Sequence, residues 1–208
     1  MVFRREFPLF LILFLLGSVF SLGAQINDDE VPIEPDWDGV LPELYANGDK
    51  LFVISVGAVF PTIFLDNNGE KYTHNVKIGG TGSLGFNYFL GSHLYLGAEI
   101  GGMFASTLAG NMLYMVPMGI RVGYQFILKR FEFPLSLLVG FVPQTYLKES
   151  FGGLFIKPEV SAFWRLNPDW SFGLNTGWWW VPQWPKEGHD KDRHGNFVEL
   201  TLSARYHL

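Results

Sequence analysis

The densest run of side chains able to do chemistry is His189-Asp190-Lys191-Asp192-Arg193-His194. Two imidazoles and two carboxylates at this spacing could hold a divalent cation. The interleaved Lys191 and Arg193 repel one, and a solvated charge run is the ordinary explanation. No metal site is expected. The remaining histidines, His74, His93 and His207, fall in connections or at the chain's end. A hydrolase acting on lipid would need a hydroxyl, a histidine and an acid projecting together. The apolar faces traced below offer no histidine, no acid, and only Thr176 as a hydroxyl besides tyrosine. The expectation is therefore a protein that is not an enzyme and uses no cofactor.

A second set of charges is sparser but more regular: Lys77, Glu99, Arg121, Lys157, Glu159, Arg165, Glu199 and Arg205. All occupy odd positions inside segments whose even positions are apolar. From 76 to 88 the even positions read Val76, Ile78, Gly80, Gly82, Leu84, Phe86 and Tyr88, while the odd ones read Lys77, Gly79, Thr81, Ser83, Gly85 and Asn87. This is a period of two, the signature of strands with two unlike faces. The same split recurs seven times, in Phe52-Ile54-Val56-Ala58-Phe60, Leu94-Leu96-Ala98-Ile100, Val116-Met118-Ile120-Val122, Phe133-Leu135-Leu137-Val139-Phe141, Ile156-Pro158-Val160-Ala162-Trp164, Trp170-Phe172-Leu174-Thr176-Trp178-Trp180 and Val198-Leu200-Leu202-Ala204-Tyr206-Leu208. Eight strands are expected.

Their connections alternate in length. Those around Gly91, around Arg130 and at Asn167-Pro168-Asp169 are tight; residues 61–75, 143–153 and 182–196 read as long loops, and 106–111 as a shorter one. Short turns opposite longer loops are the habit of outer-membrane barrels, and both ends of the barrel chain then lie on the short-turn side, the periplasm. A faint repeat at an offset of 76, Tyr88-x-Leu90-Gly91-x-x-Leu94 against Trp164-x-Leu166-Asn167-x-x-Trp170, is in keeping with the count of eight.

Alternation alone does not say which face points inward. A soluble barrel holding a greasy ligand is the rival. Volume decides, because an eight-stranded barrel encloses little more than its own side chains. The apolar sets carry too many Phe, Trp, Tyr, Leu and Ile to fit inside, so they face lipid. Aromatics also gather at strand ends. Phe60, Phe104, Tyr114, Phe141, Trp178 and Trp180 fall toward the loops; Tyr88, Phe126, Phe133, Trp164, Trp170 and Tyr206 fall toward the turns. Two such rings are the girdles of a membrane barrel. Composition agrees: 17% charged residues against about 25% in soluble domains, with 48% hydrophobic and 17% aromatic.

Ahead of the strands, Arg4 and Arg5 precede an apolar run over residues 7–20 and the small residues Gly23 and Ala24, the layout of a cleaved signal peptide over residues 1–24. An uncleaved anchor is the competing reading. Residues 25–49 hold eight acids, no Lys or Arg, and Pro32, Pro35 and Pro42. Such a stretch cannot bury enough apolar surface to fold alone. It is read as a periplasmic tail, with a plug entering the barrel as the alternative. Residues 50–208 form the barrel and carry 13 basic and 11 acidic residues, nothing like the basic footprint of a nucleic-acid binder.

Over residues 50–208 the chain resembles the small outer-membrane barrels of OmpX, OmpA-domain and OmpW type. The sharpest likeness is Val198-x-Leu200-x-Leu202-x-Ala204-x-Tyr206-x-Leu208, where Leu202, Tyr206 and Leu208 look like the terminal signal read by the barrel-assembly machinery. The usual final Phe is Leu208 here. The resemblance implies an all-β, eight-stranded, antiparallel up-and-down transmembrane barrel, monomeric among outer-membrane lipids.

Inside so narrow a lumen the eight charges must pair; Glu99 and Arg121, on adjacent strands at one depth, are expected to do so. A polar packed plug is the plain reading and a selective pore the sharper one. Trp179 points inward beneath the last loop and Trp184 lies in it, both packing the mouth. Function then rests with the loops, through which a surface ligand in the host or environment would be met. A narrow channel for small, hydrophobic solutes is the OmpW-like alternative, and Pro117 and Pro158, which remove ladder donors, mark where it could open sideways.

Overall fold

A computed structural model describes residues 45–66, 71–72, 76–146, 149–183 and 193–208. Ten strands follow in chain order: β1 (Lys50–Asp66), β2 (Lys71–Tyr72), β3 (Val76–Phe89), β4 (Leu94–Thr107), β5 (Met112–Met115), β6 (Met118–Leu128), β7 (Phe131–Tyr146), β8 (Glu149–Arg165), β9 (Trp170–Gln183) and β10 (Arg193–His207). Each long strand pairs antiparallel with the next, and β10 returns to pair with β1, from Leu51↔His207 outward. The sheet closes on itself. β2 is a two-residue extension against β1, and β5 and β6 are two parts of one spanning strand, so eight strands form the barrel.

The break between β5 and β6 falls at Val116 and Pro117. Pro117 has no N–H to give, yet its carbonyl accepts from Gly101 N at 2.8 Å, and Val116 N donates to Pro143 O at 2.9 Å. The register with both neighbours is the same on either side, Met103↔Met115 and Ile100↔Met118 on β4, Met115↔Gln144 and Met118↔Phe141 on β7, so no residue is inserted and the inside–outside parity runs through. At one end of the barrel the connections are tight. Lys129, with φ 54°, turns β6 into β7. The Asn167 side chain accepts from the N–H groups of Asp169 (3.0 Å) and Trp170 (2.7 Å), an Asx turn that starts β9. This is called the turn end, and the opposite one the loop end.

Three loops expected from the sequence are shorter than read. β1 runs on to Asp66, β7 and β8 leave only residues 147–148 between them, and β9 and β10 extend to Gln183 and from Arg193. Pro61, Pro143 and Pro182, which read as the starts of loops, instead stand inside β1, β7 and β9. His189, Asp190, Lys191, Asp192 and Trp184 lie outside the described residues.

Alternation decides burial throughout. Along β4 to β6 the even positions are exposed and the odd ones buried: Ile120 is 70% exposed and Arg121 7%. Cross-strand rows tie the outer face together. Phe52, Tyr206 and Trp170 stand abreast near the turn end, and Phe60, Val198 and Trp178 abreast toward the loop end. The eight-residue step between these rows, at ~3.4 Å per residue and a tilt of ~45°, spans roughly 20 Å of height, in the range of a hydrocarbon band. Trp170 and Tyr206 touch at 5.0 Å between ring centres. Phe104, Tyr114, Phe141, Phe126, Phe133, Trp164 and Tyr88 are likewise exposed, while Trp180 and Phe60 are half-buried.

The core is the lumen. Toward the loop end a buried apolar cluster fills it, with Val59, Met103, Leu113, Met115, Leu138, Val142, Phe155, Trp179, Val181 and Phe197 among its members. Gly and Ser were expected to dominate this inner face, yet it also carries bulky apolar groups. Space is made for them locally: Tyr95 lies flat over Gly123, where a Cβ would meet the ring at 2.2 Å.

A candidate functional site in the lumen

Below the apolar cluster sits a five-membered ion cluster. Glu99 comes from β4, Arg121 from β6, Lys157 and Glu159 from β8, and Glu199 from β10, so it bridges the barrel from wall to wall. Arg121 Nη2 donates to Glu99 Oε2 and, at 2.6 Å, to Glu159 Oε2. Lys157 Nζ lies 2.8 Å from Glu99 Oε1, 3.1 Å from Glu159 Oε1 and 3.6 Å from Glu199 Oε2. Lys157 also stands 5.0 Å from the ring centre of Trp179, which roofs the cluster. Gly177 lies opposite both Glu159 and Glu199 in register. A Cβ there would press on Glu159 Cγ at 3.1 Å and Lys157 Cγ at 3.3 Å, so the missing side chain makes room for the ions.

Isolated charges in this space would be prohibitive, and the network answers each one with at least one counter-charge. Three carboxylates meet two cations, leaving one negative charge. Nearer the turn end a polar layer follows, where Ser203 Oγ donates to Ser55 Oγ at 2.6 Å and Asn175 Nδ2 reaches Thr201 Oγ1 at 3.4 Å.

At the turn end a second cluster forms around Glu132, a residue the sequence reading did not single out. Glu132 is fully buried. It accepts from Gln125 Nε2 at 2.7 Å, and Arg205 Nη1 and Arg165 Nε stand 3.5 and 3.6 Å from its oxygens. Arg205 lies flat on Phe163, 3.4 Å from its centre. Arg165 Nη2 reaches His207 Nδ1 at 2.8 Å. A guanidinium can only donate, so Nδ1 is the acceptor and Nε2 carries the proton, which points at Ser171 Oγ 2.7 Å away. One carboxylate meets two cations here, leaving one positive charge. The two clusters together are neutral.

Of the eight charges taken from the sequence, the structure gathers Glu99, Arg121, Lys157, Glu159 and Glu199 in one cluster and Arg165 and Arg205 in the other. Lys77 joins neither. The register between β3 and β4 shifts between Val76 and Gly79, and this bulge ends the parity that placed Lys77 inside; it is exposed. Glu132 escaped notice because β7 was taken to begin at Phe133. Its signal was nevertheless present: it sits two residues after the tight turn, at the same parity as Ser136 and Leu138, which point inward or partly so.

The acidic segment was read as a tail, yet its last residues are part of the barrel end. Tyr45 is 4% exposed. Its ring stacks on Phe89 at 3.8 Å and 5°, with Arg165 5.2 Å from its other side, and its hydroxyl lies 3.0 Å from both oxygens of Glu132. Burial, and then the charge of Glu132, push this phenol's pKa well above its ordinary value. Among the described residues, no group of three or more His, Asp or Glu side chains is placed to hold a metal ion. Leu202, Tyr206 and Leu208 lie on the outer face of the last strand and its end.

A protein-family model matches residues 28–206. A protein of Treponema pallidum (strain Nichols), described as uncharacterized, is 28% identical over 171 residues, 77% of this chain and 78% of its own. One of Borreliella burgdorferi, described in the same way, is 25% identical over 164 residues, 68% of this chain and 76% of its own. Among solved structures, Neisserial surface protein A matches with a TM-score of 0.57 at 9% identity, over 78% of this chain and 98% of that one. The outer membrane protein OprG from Pseudomonas aeruginosa matches at 0.50 and 11%, over 79% and 97%. The fold is that of the small outer-membrane barrels.

Proposed function

We propose that this chain, which belongs to the family matched over residues 28–206, is a non-enzymatic integral protein of the bacterial outer membrane whose filled barrel holds surface loops in place for recognition. The observation that carries this reading is the ion cluster of Glu99, Arg121, Lys157, Glu159 and Glu199, which crosses the lumen from β4 to β10 beneath an apolar roof. A wall braced from within by ion pairs and a packed apolar cluster suits a rigid mount better than a pore. In this reading residues 1–24 are removed on export and both barrel termini face the periplasm. The loop end faces outward, and the barrel works as a monomer inserted by the barrel-assembly machinery through its last strand. Reconstitution into planar bilayers tests it: no steady single-channel steps are expected from the wild type, while an epitope placed at 147–148 is reached by antibody on intact cells. Stable steps, or an epitope silent on the cell surface, would overturn it.

A narrow channel for small hydrophobic solutes is the second reading, favoured by one observation. Pairing between β8 and β9 is present at Ile156↔Trp180 and again at Glu159↔Gly177, with no partners at Lys157 and Pro158 between them. This interruption of the ladder, across which the register is unchanged, lies level with the floor of the apolar cluster. Uptake of an apolar dye into vesicles that falls when the gap is tied by a Pro158→Val substitution would support a lateral route.

A further inference from the structure

The end of the acidic segment makes more contacts than a connector requires. Tyr45 enters the turn-end mouth and meets four different strands: Phe89 on β3, Glu132 on β7, Arg165 on β8 and His207 on β10. Behind it the chain is fastened to the rim. Gly48 N donates to Phe89 O at 3.0 Å, Phe89 N donates to Asp49 O at 2.8 Å, and the Asp49 carboxylate accepts from Ala46 N at 2.8 Å. Gly48 takes φ +105°, a conformation that favours glycine, so the turn is shaped to aim Tyr45 inward. The socket is built for a phenol: a flat apolar floor, a guanidinium on the opposite face, and a carboxylate at hydrogen-bond distance from the hydroxyl.

We propose that Tyr45 is a removable stopper, which closes the turn end of the lumen while seated and admits water to the Glu132 cluster when the segment is withdrawn. Three features support withdrawal. The residue belongs to no strand; the rim bonds that aim it come from a five-residue turn; and Glu132 is already partnered without it, keeping Gln125, Arg165 and Arg205. Removing the ring therefore leaves no orphaned charge. The segment leading to Tyr45 holds seven acids before it and none of the opposite sign, so a cationic surface or partner at that end would draw it outward. The inference stands apart from the recognition role of the loops: it concerns the other end of the barrel, which the apolar cluster keeps separate.

The protein has no cysteine, so a single thiol reports on one place. Ser171 is completely buried behind Tyr45, beside His207. In S171C, as the full chain in lipid nanodiscs, labelling by a membrane-impermeant maleimide is expected to be slow. Adding Y45A, which loses both the stacked ring and the hydrogen bond to a charged group, should accelerate it by roughly tenfold or more. Y45F, which keeps the stacked ring and loses only the hydroxyl, should fall between. A heat-modifiable shift in gel mobility checks that each variant is a folded barrel. Equal labelling rates with and without Tyr45 would overturn the proposal. So would failure of Y45A to fold while Y45F labels as slowly as S171C alone, since Tyr45 would then be a fixed strut.

Discussion

Toward the turn end the lumen is filled by the charges of Glu132, Arg165 and Arg205 with Gln125, packed beside the rings of Tyr45, Phe89 and Tyr95; toward the loop end it is filled by Phe155, Leu138, Val142, Val181 and Phe197. Both fillings occupy a tube of similar width, but they are held by different physics. The charged part is specified by partners, each donor needing one acceptor at one place. The apolar part is specified by shape, and its members could exchange volume with a neighbour. The midheight cluster of Glu99, Arg121, Lys157, Glu159 and Glu199 is where the two meet, ionic below and capped by Trp179 above. A partner lost from the ionic part strands a charge, whereas a methylene lost from the apolar part leaves only a void.

The largest effect is therefore expected from Arg121→Met, which leaves Glu99 and Glu159 competing for Lys157. It should cost about 3–5 kcal/mol in urea unfolding from detergent, followed by tryptophan fluorescence. Leu138→Ala, in the apolar part, should cost roughly 3 kcal/mol by the same measurement. A loss under about 1 kcal/mol would mean that the upper lumen collapses around voids, and would favour the channel reading over the mount.

Removing charge in pairs sharpens the contrast. Glu99→Leu together with Arg121→Met keeps Glu159 and Lys157 matched, and should recover all but about 1–2 kcal/mol of the single-variant loss. Non-recovery would show that Arg121 serves mainly Glu159.

The smallest effect concerns pH. Tyr45 keeps its proton in the folded protein above the value of 10.0 at which an unfolded chain gives it up, owing first to burial and then to Glu132, against the opposing pull of Arg205 and Arg165. Gln125, Phe89 and His207 complete its surroundings. The unfolded state then binds fewer protons, so this contribution is whole below about pH 10 and declines above it, by at most ~1.4 kcal/mol per pH unit. Subtracting the profile of Y45F from that of the wild type isolates it; identical slopes between pH 10 and 11 would place the hydroxyl in contact with water.

Much of the barrel was legible because lipid on one side and a packed lumen on the other force a period of two on every spanning strand. The strand count and seven of the eight inward charges follow from parity alone. What parity could not supply lies where the sheet departs from regular pleating. A bulge turned Lys77 outward, and a two-residue turn hid Glu132 at the first step of β7. The outer ends of β1, β7 and β9 carry Pro61, Pro143 and Pro182, which read as the starts of loops, so their strand character was not announced. The apolar filling of the loop end was missed for a different cause: Phe155 and Phe197 sit at inward positions among polar neighbours, and nothing in their order tells a lumen-filling phenylalanine from a chance interruption. Tyr45 had no periodic context at all.

The seam deserves one last consideration. Leu51 finds its partner in His207, and the amide of Leu208 donates to Lys50 O at 3.0 Å. The first strand of the barrel is thus completed only by the last one. Until then it presents a bare row of amides and carbonyls, an invitation to any other extended chain. Growth of the wall from one hairpin to the next gives no halfway resting form, and ring closure links residues at the greatest separation the chain allows, a slow step by nature. A barrel closed in this way gains its last ladder only when β10 meets β1, and loss of β10 would leave one edge of β1 bare.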